Sequence, residues 1–192
     1  MHDHLRETLA QDLRYVTAVQ IAQDNSQGHV WLLGGYVART LAKLLHGTPL
    51  PEKVDLDFVC EGLTSHPRTP VEFTLSYNVH KNPRIKGKGI EIDLMPFTLS
   101  NFPHLQERGL ALTIESILAQ APLTTGAIAY HTATGQIIGD VGIHAVQTRT
   151  LGVNDAAEVK KIVRRNGWTV DEYVRKKAVS FGFTPVFPPK SS

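Results

Sequence analysis

Val54-Asp55-Leu56-Asp57-Phe58-Val59-Cys60 alternates apolar and acidic side chains, and its reading decides the rest of the chain. Alternation with a period of two predicts a strand with two unlike faces. Val54, Leu56 and Phe58 would face a core. Asp55 and Asp57 would stand side by side on the other face, where two carboxylates repel unless a cation lies between them. Oxygen donors of this kind suit Mg²⁺ or Mn²⁺. Upstream, His29 to Leu33 is a short apolar run that ends at Gly34-Gly35. Val37, Leu41, Leu44 and Leu45 then recur at helical spacing and stop near Gly47 and Pro49. Glycines between a strand and a helix let backbone approach a phosphate, and the helix start offers free N–H groups and a positive dipole end. Arg39, in the first turns of that helix, adds a fork suited to phosphate. Downstream, Ile90-Glu91-Ile92-Asp93-Leu94 alternates again. It offers Asp93, or Glu91 on the same face, as a third carboxylate for a two-metal site.

Further out, Leu5, Leu9, Leu13 and Val16 keep helical spacing, so residues 1–24 read as one amphipathic helix, closed by the breakers Asp24-Asn25-Ser26-Gln27-Gly28. Residues 71–79 and 90–96 read as strands joined by a polar connection carrying Lys81, Arg84, Lys86 and Lys88, either a solvated hairpin or a contact for nucleic-acid phosphate. Residues 111–119 read as a helix. Ala127 to Tyr130 and Gln136 to Ile138 flank Thr132-Ala133-Thr134-Gly135, a hairpin signal. Asp155 with Glu158, and Thr169 with Glu172, have capping-box spacing. Val170, Tyr173, Val174, Ala178 and Phe181 mark one apolar face of a last helix. The prolines and serines from 185 to 192 read as a disordered tail.

Composition bounds the compartment more than the chemistry. A single cysteine, Cys60, excludes an internal disulfide, fits a reducing compartment and reads as core rather than nucleophile. No apolar run approaches the roughly 20 residues that span a bilayer. Met1-His2-Asp3-His4 lacks the basic and apolar regions of a signal peptide. The expectation is a cytoplasmic protein with no membrane partner. Residues 1–150 hold 12 Lys/Arg against 14 Asp/Glu, whereas residues 151–192 hold 8 against 4. That basic C-terminal stretch is either a solvated surface or a meeting place for phosphate. The nine histidines show no metal-ligand spacing, and Trp31 and Trp168 read as packing residues.

The order of these features resembles the head domain of CCA-adding enzymes and bacterial poly(A) polymerases, in the DNA polymerase β-like nucleotidyltransferase superfamily. Leu32-Leu33-Gly34-Gly35-Tyr36-Val37-Ala38-Arg39 is similar to that family's Gly-Gly-x-Val-Arg-Asp start. Asp55-Leu56-Asp57-Phe58-Val59 resembles its paired-aspartate strand, and Thr113-Ile114-Glu115-Ser116 its Asp-Phe-Thr-Ile-Asn-Ala segment. Arg149-Thr150-Leu151-Gly152 resembles a later strand, and Asp171-Glu172-Tyr173-Val174-Arg175 the first neck helix. Thr40 stands where the family has an aspartate. Gly109-Leu110-Ala111 stands where it has Arg-Arg-Asp, and residues 155–166 form a helix-sized insertion.

The resemblance implies an α/β (α+β) nucleotidyltransferase fold: a short mixed sheet flanked by helices, with a head domain at 1–152 and a helical neck-like appendage at 153–184. It implies transfer of a nucleoside monophosphate from ATP or CTP to a hydroxyl, with an RNA end as candidate acceptor. Asp55, Asp57 and Asp93 would be the catalytic, metal-holding residues. Gly34, Gly35 and Arg39 would meet the triphosphate, and Asp171 and Arg175 the base. A partner protein would supply the RNA-gripping body. Two other readings stay open: a non-catalytic nucleotide- or RNA-binding module, and a small nucleotidyltransferase that modifies a protein or small molecule.

Overall fold

The computed structural model describes residues 2–187. Eight helices run α1 (His2–Gln11), α2 (Leu13–Asp24), α3 (Gly35–His46), α4 (Pro103–Glu107), α5 (Ile114–Ala119), α6 (Asp140–Thr148), α7 (Ala156–Asn166) and α8 (Val170–Phe181). The strands are β1 (Val30–Leu33), β2 (Val54–Cys60), β3 (Thr74–Tyr77), β4 (Pro83–Gly87), β5 (Ile90–Pro96), β6 (Ala129–His131), β7 (Ile137–Ile138), β8 (Thr150–Leu151) and β9 (Thr184–Pro185). Seven strands form one mixed sheet in the order β3-β4-β5-β2-β1-β6-β7, in which β2 and β5 are parallel and the other neighbours antiparallel. The fold is the expected mixed sheet flanked by helices.

Alternation sorts the two faces of that sheet. Val30, Leu32, Val54, Leu56, Phe58, Ile90, Ile92 and Leu94 join the large core with α1, α2 and α3. On the opposite face a smaller cluster gathers Val59 and Ala129 with Leu105, Ile114, Ile117 and Leu118, and Trp31, Leu33 and Met95 pack against it. That second layer, built from α4 and α5, covers only the downstream ends of β2 and β5. Asp55, Asp57, Glu91 and Asp93 share its face but lie beyond its cover.

Three expectations change. The N-terminal helix is two helices, because Asp12 caps α2 by accepting from the Arg14 N–H and the chain turns there. The buried series therefore runs Leu5, Leu9 and then Tyr15, Ala18, Ile21, whereas Leu13 is 79% exposed. The basic connection contains a strand: Arg84 and Lys86 lie in β4, hydrogen-bonded between β3 and β5. Thr169 and Glu172 close a capping box. Asp155 caps α7, but Glu158 turns to Lys161 instead of closing one.

Helices α7 and α8 share the main core through Val159, Val163, Tyr173, Val174, Ala178 and Phe181. Strand β9 pairs in parallel with β8. Of the tail expected from residue 185, Pro185 lies in β9 and the Val186 N–H donates to the Leu151 carbonyl at 2.8 Å. Pro188 to Ser192 lie outside the described residues. Among the described residues no helix is long and apolar enough to cross a membrane.

Candidate active site

Register assembles the acidic face. In the parallel pair β2–β5, Asp55 lies opposite Glu91 and Asp57 opposite Asp93. In the antiparallel pair β1–β2, Leu33 lies opposite Asp57. Gly34 and Gly35 therefore follow β1 directly beside the acidic half of β2. Asp55, Asp57, Glu91, Asp93 and Arg84 line a cleft of about 170 Å³.

Arg84, in a polar connection by sequence, lies in β4. Its position opposite Asp93 in the β4–β5 register sets a two-pronged hydrogen bond, Nε to Oδ1 at 2.8 Å and Nη2 to Oδ2 at 2.7 Å. The same guanidinium lies 3.0 Å from Glu91, and Lys86 pairs with Glu91 at 2.7 Å. The Asp93 carboxylate holds Arg84 well above the usual arginine range. Asp57 has no such partner. Burial, then the charges of Asp93 and Asp55, push its carboxyl up to about 6 against the opposing pull of Arg84.

Arg84 and Lys86 pair with Glu91 and Asp93, and neither forms an ion pair with Asp55 or Asp57. Hard oxygen donors suit Mg²⁺ or Mn²⁺, so Asp55 and Asp57 fit such an ion. Asp93 differs from Asp55 and Asp57 in that Arg84 donates to both its oxygens. Among the described residues no three His, Cys, Asp or Glu side chains form a ready metal-holding group.

The two glycines divide their work. Gly34, at φ 53° and ψ −116°, gives its N–H to the Ile128 carbonyl at 2.8 Å, and an added Cβ would lie 3.2 Å from the Gly126 carbonyl. It is a close-packing residue whose amide is already engaged. Gly35 has open space where a Cβ would be, and it begins α3, which has no side-chain cap. The first-turn N–H groups of a helix have no intrahelical partners, which leaves them for a ligand.

Gly35, Arg39, Lys53, Asp55, Asp57 and Lys177 line an adjoining cleft of about 320 Å³. Arg39 donates to the Ser180 carbonyl at 2.7 Å and lies 4.0 Å over the Phe181 ring. Burial lowers its pKa, and Asp55 opposes that shift. A third cleft of about 470 Å³ opens on the other side of Asp57 and Gly35, walled by Phe102, Leu118 and Met95.

Asp171 and Arg175 are not brought to these clefts. Arg175 lies 4.7 Å from the Phe187 ring centroid, and both side chains are exposed. At about 100° per residue, Arg175 points some 200° around α8 from Lys177, the residue that does line the cleft. Lys53 and Lys177 escaped the sequence reading because a lone lysine carries no spacing signal. Cys60 is fully buried and its thiol is pushed up to about 11 by that burial, as a core residue should be.

Among solved structures the fold recurs in CCA-adding enzymes. A CCA-adding enzyme with CTP matches with a TM-score of 0.54 at 18% identity, over 78% of this chain and 36% of that one. A tRNA-processing enzyme in an apo form matches at 0.51 and 17%, over 96% and 43%. The Thermotoga maritima CCA-adding enzyme complexed with tRNA matches at 0.51 and 18%, over 92% and 45%. This chain thus has their fold and spans less than half of their length. No family model matches the sequence, and no curated protein does.

Proposed function

We propose that this protein transfers a nucleoside monophosphate from an NTP, ATP or CTP, to a hydroxyl acceptor. The observation that carries the reading is the β2–β5 register, which stacks Asp55 on Glu91 and Asp57 on Asp93 beside the glycine-opened start of α3. Asp55 and Asp57 would hold Mg²⁺ or Mn²⁺, with Asp93 joining them once released from Arg84. When bound, such an ion supplies charge neutralisation on the phosphates and acidifies an attacking hydroxyl. Gly35 and the first turn of α3 would receive the triphosphate. Arg39, Lys53 and Lys177 put three cations along the same cleft, where they would hold phosphate oxygens and steady the departing pyrophosphate. The solved neighbours include one enzyme with CTP and one with tRNA, which supports an NTP donor and an RNA acceptor. A partner protein that grips the RNA belongs to the same proposal.

A second reading, a nucleotide binder without transfer activity, is favoured by one observation: Arg84 already occupies Asp93. Incubation with each α-labelled NTP, Mg²⁺ and RNA separates the two. Label appearing on RNA supports transfer. A Mg²⁺-dependent rise in melting temperature with NTP, but no label transferred to RNA, protein or small hydroxyl compounds, supports the binder. Neither response would overturn both.

A further inference from the structure

Two clefts meet at Lys177. One is the cleft that holds Asp55 and Asp57. The other, about 410 Å³, lies between α7 and α8, and Arg165, Asn166, Trp168, Tyr173 and Lys176 complete its walls. Ser180 lines this second cleft and accepts from Arg39, which lines the first, through both its carbonyl and its hydroxyl.

Charge is sorted along the two helices. Three of the four acids at their heads are engaged: Asp155 caps α7 and accepts from Arg108 at 2.9 Å, Glu158 is held by Lys161 at 2.7 Å, and Glu172 closes its capping box, while Asp171 is exposed. Cations fill the later turns. Lys160, Arg164, Arg165, Lys176 and Lys177 are exposed, and among the described residues none of them forms an ion pair. Of these, Arg165, Lys176 and Lys177 line one cleft, where like charges repel and a polyanion would relieve the repulsion. The cleft also offers aromatic surface. Trp168 stacks on Tyr173 at 6.1 Å, and Lys176 lies 4.4 Å from the Trp168 ring centroid.

We propose that this cleft carries a single-stranded polynucleotide, with phosphates on Arg165 and Lys176 and a base against Trp168, and leads its terminal hydroxyl past Lys177 to Asp55 and Asp57. The inference rests on the transferase reading and names the acceptor's path. Interleaved cations and aromatic faces are what single strands use, because phosphates take the charge and bases stack without regard to sequence. An acidic peptide would satisfy the cations but does not bring an aromatic ring alongside each charge, as a polynucleotide does. The α7 part of the cleft falls in the segment that departs from the nucleotidyltransferase pattern, so this wall belongs to the present chain.

Fluorescence anisotropy with labelled rU₁₂ and dT₁₂ tests the path, and the two arms separate RNA from DNA. Arg165→Gln with Lys176→Gln should weaken binding of the preferred strand about tenfold or more at ~0.1 M salt. It should also flatten the salt dependence by about 0.7 log units of affinity per log unit of salt for each phosphate no longer neutralised. The Mg²⁺-ATP shift in melting temperature should stay unchanged, and Arg165→Lys with Lys176→Arg should restore strand binding. Circular dichroism checks that the variants fold. Equal strand affinity in the Gln variant, or no binding by the native protein, overturns the path. So does equal binding of poly-glutamate, which would make the face a protein-docking surface. Strand binding that depends on Arg165 and Lys176, in a protein that ignores Mg²⁺-ATP, would instead sink the transferase reading and leave the polynucleotide site standing.

Discussion

Two arginine forks can be compared within this one molecule. Behind the sheet, Arg14 grips Asp12 through Nε at 3.0 Å and Nη2 at 2.8 Å. In the cleft, Arg84 grips Asp93 in the same two-pronged way. Their surroundings differ. Asp12 also accepts from the Tyr36 hydroxyl at 2.6 Å and the Arg14 N–H at 2.9 Å, and Arg14 goes on to the Pro51 carbonyl at 2.8 Å. Burial opposes the Asp12 charge, but these hydrogen bonds outweigh it and hold the carboxyl at about 2. Charges balance there and both carboxylate oxygens are engaged, so the fork ties α1, α2 and α3 together. Around Asp93 two cations face four carboxylates, and Asp57 rises to about 6. One geometry thus makes a joint where charge is balanced, and a site where charge is left over.

The acids of β2 carry the largest expected effect. Asp55→Asn with Asp57→Asn should lower nucleotidyl transfer on the order of 10³-fold, because a divalent ion supplies several kcal/mol to the transition state and each ~1.4 kcal/mol is a factor of ten. The same variant should melt no lower than the native protein without divalent ions, since like-charge repulsion is removed. A large fall in melting temperature would mean that the acids are structural after all.

Asp12→Ala should do the opposite. It removes a helix cap and leaves Tyr36 and Arg14 without their acceptor, so urea denaturation should show a loss of about 3 kcal/mol. Residual transfer, scaled to folded protein, should be unchanged. Loss of transfer without loss of stability would erase the distinction between the two forks.

Arg84→Gln sharpens the contrast. It frees Asp93 and leaves the cleft with one more uncompensated negative charge, so Mg²⁺ should bind about tenfold more tightly, read as a larger Mg²⁺-dependent shift in melting temperature. Weaker Mg²⁺ binding would instead make Arg84 a positioning residue that holds Asp93 in place.

The smallest effect concerns pH. The Asp12 carboxyl is lowered from 3.8 to about 2 on folding, so the unfolded chain binds the extra proton between those values. This contribution is complete above about pH 4 and is lost as pH falls toward 2. Asp12→Asn should flatten the slope of stability against pH in that window. An unchanged slope would show that other carboxylates govern acid unfolding.

Short-range pattern alone determined a good deal here. Alternation in Val54–Cys60 and Ile90–Leu94 set which residues share a face, because side chains of a strand must alternate. The break at Gly34-Gly35 placed a helix start beside them, and Thr169 with Glu172 set the head of α8. Packing of the whole chain chose the partners across each gap. Strand register brought Arg84 from an apparent loop onto Asp93, and the four acids fell outside the α4–α5 layer, with Asp55 exposed and the other three partly buried. Burial of Tyr173, Val174, Ala178 and Phe181 fixed the rotation of α8. That rotation brought Lys177 into the cleft and turned Asp171 and Arg175 away from it. Periodicity fixes the face a residue shares within its own element. The partner across the gap depends on register and rotation, which packing of the whole core sets.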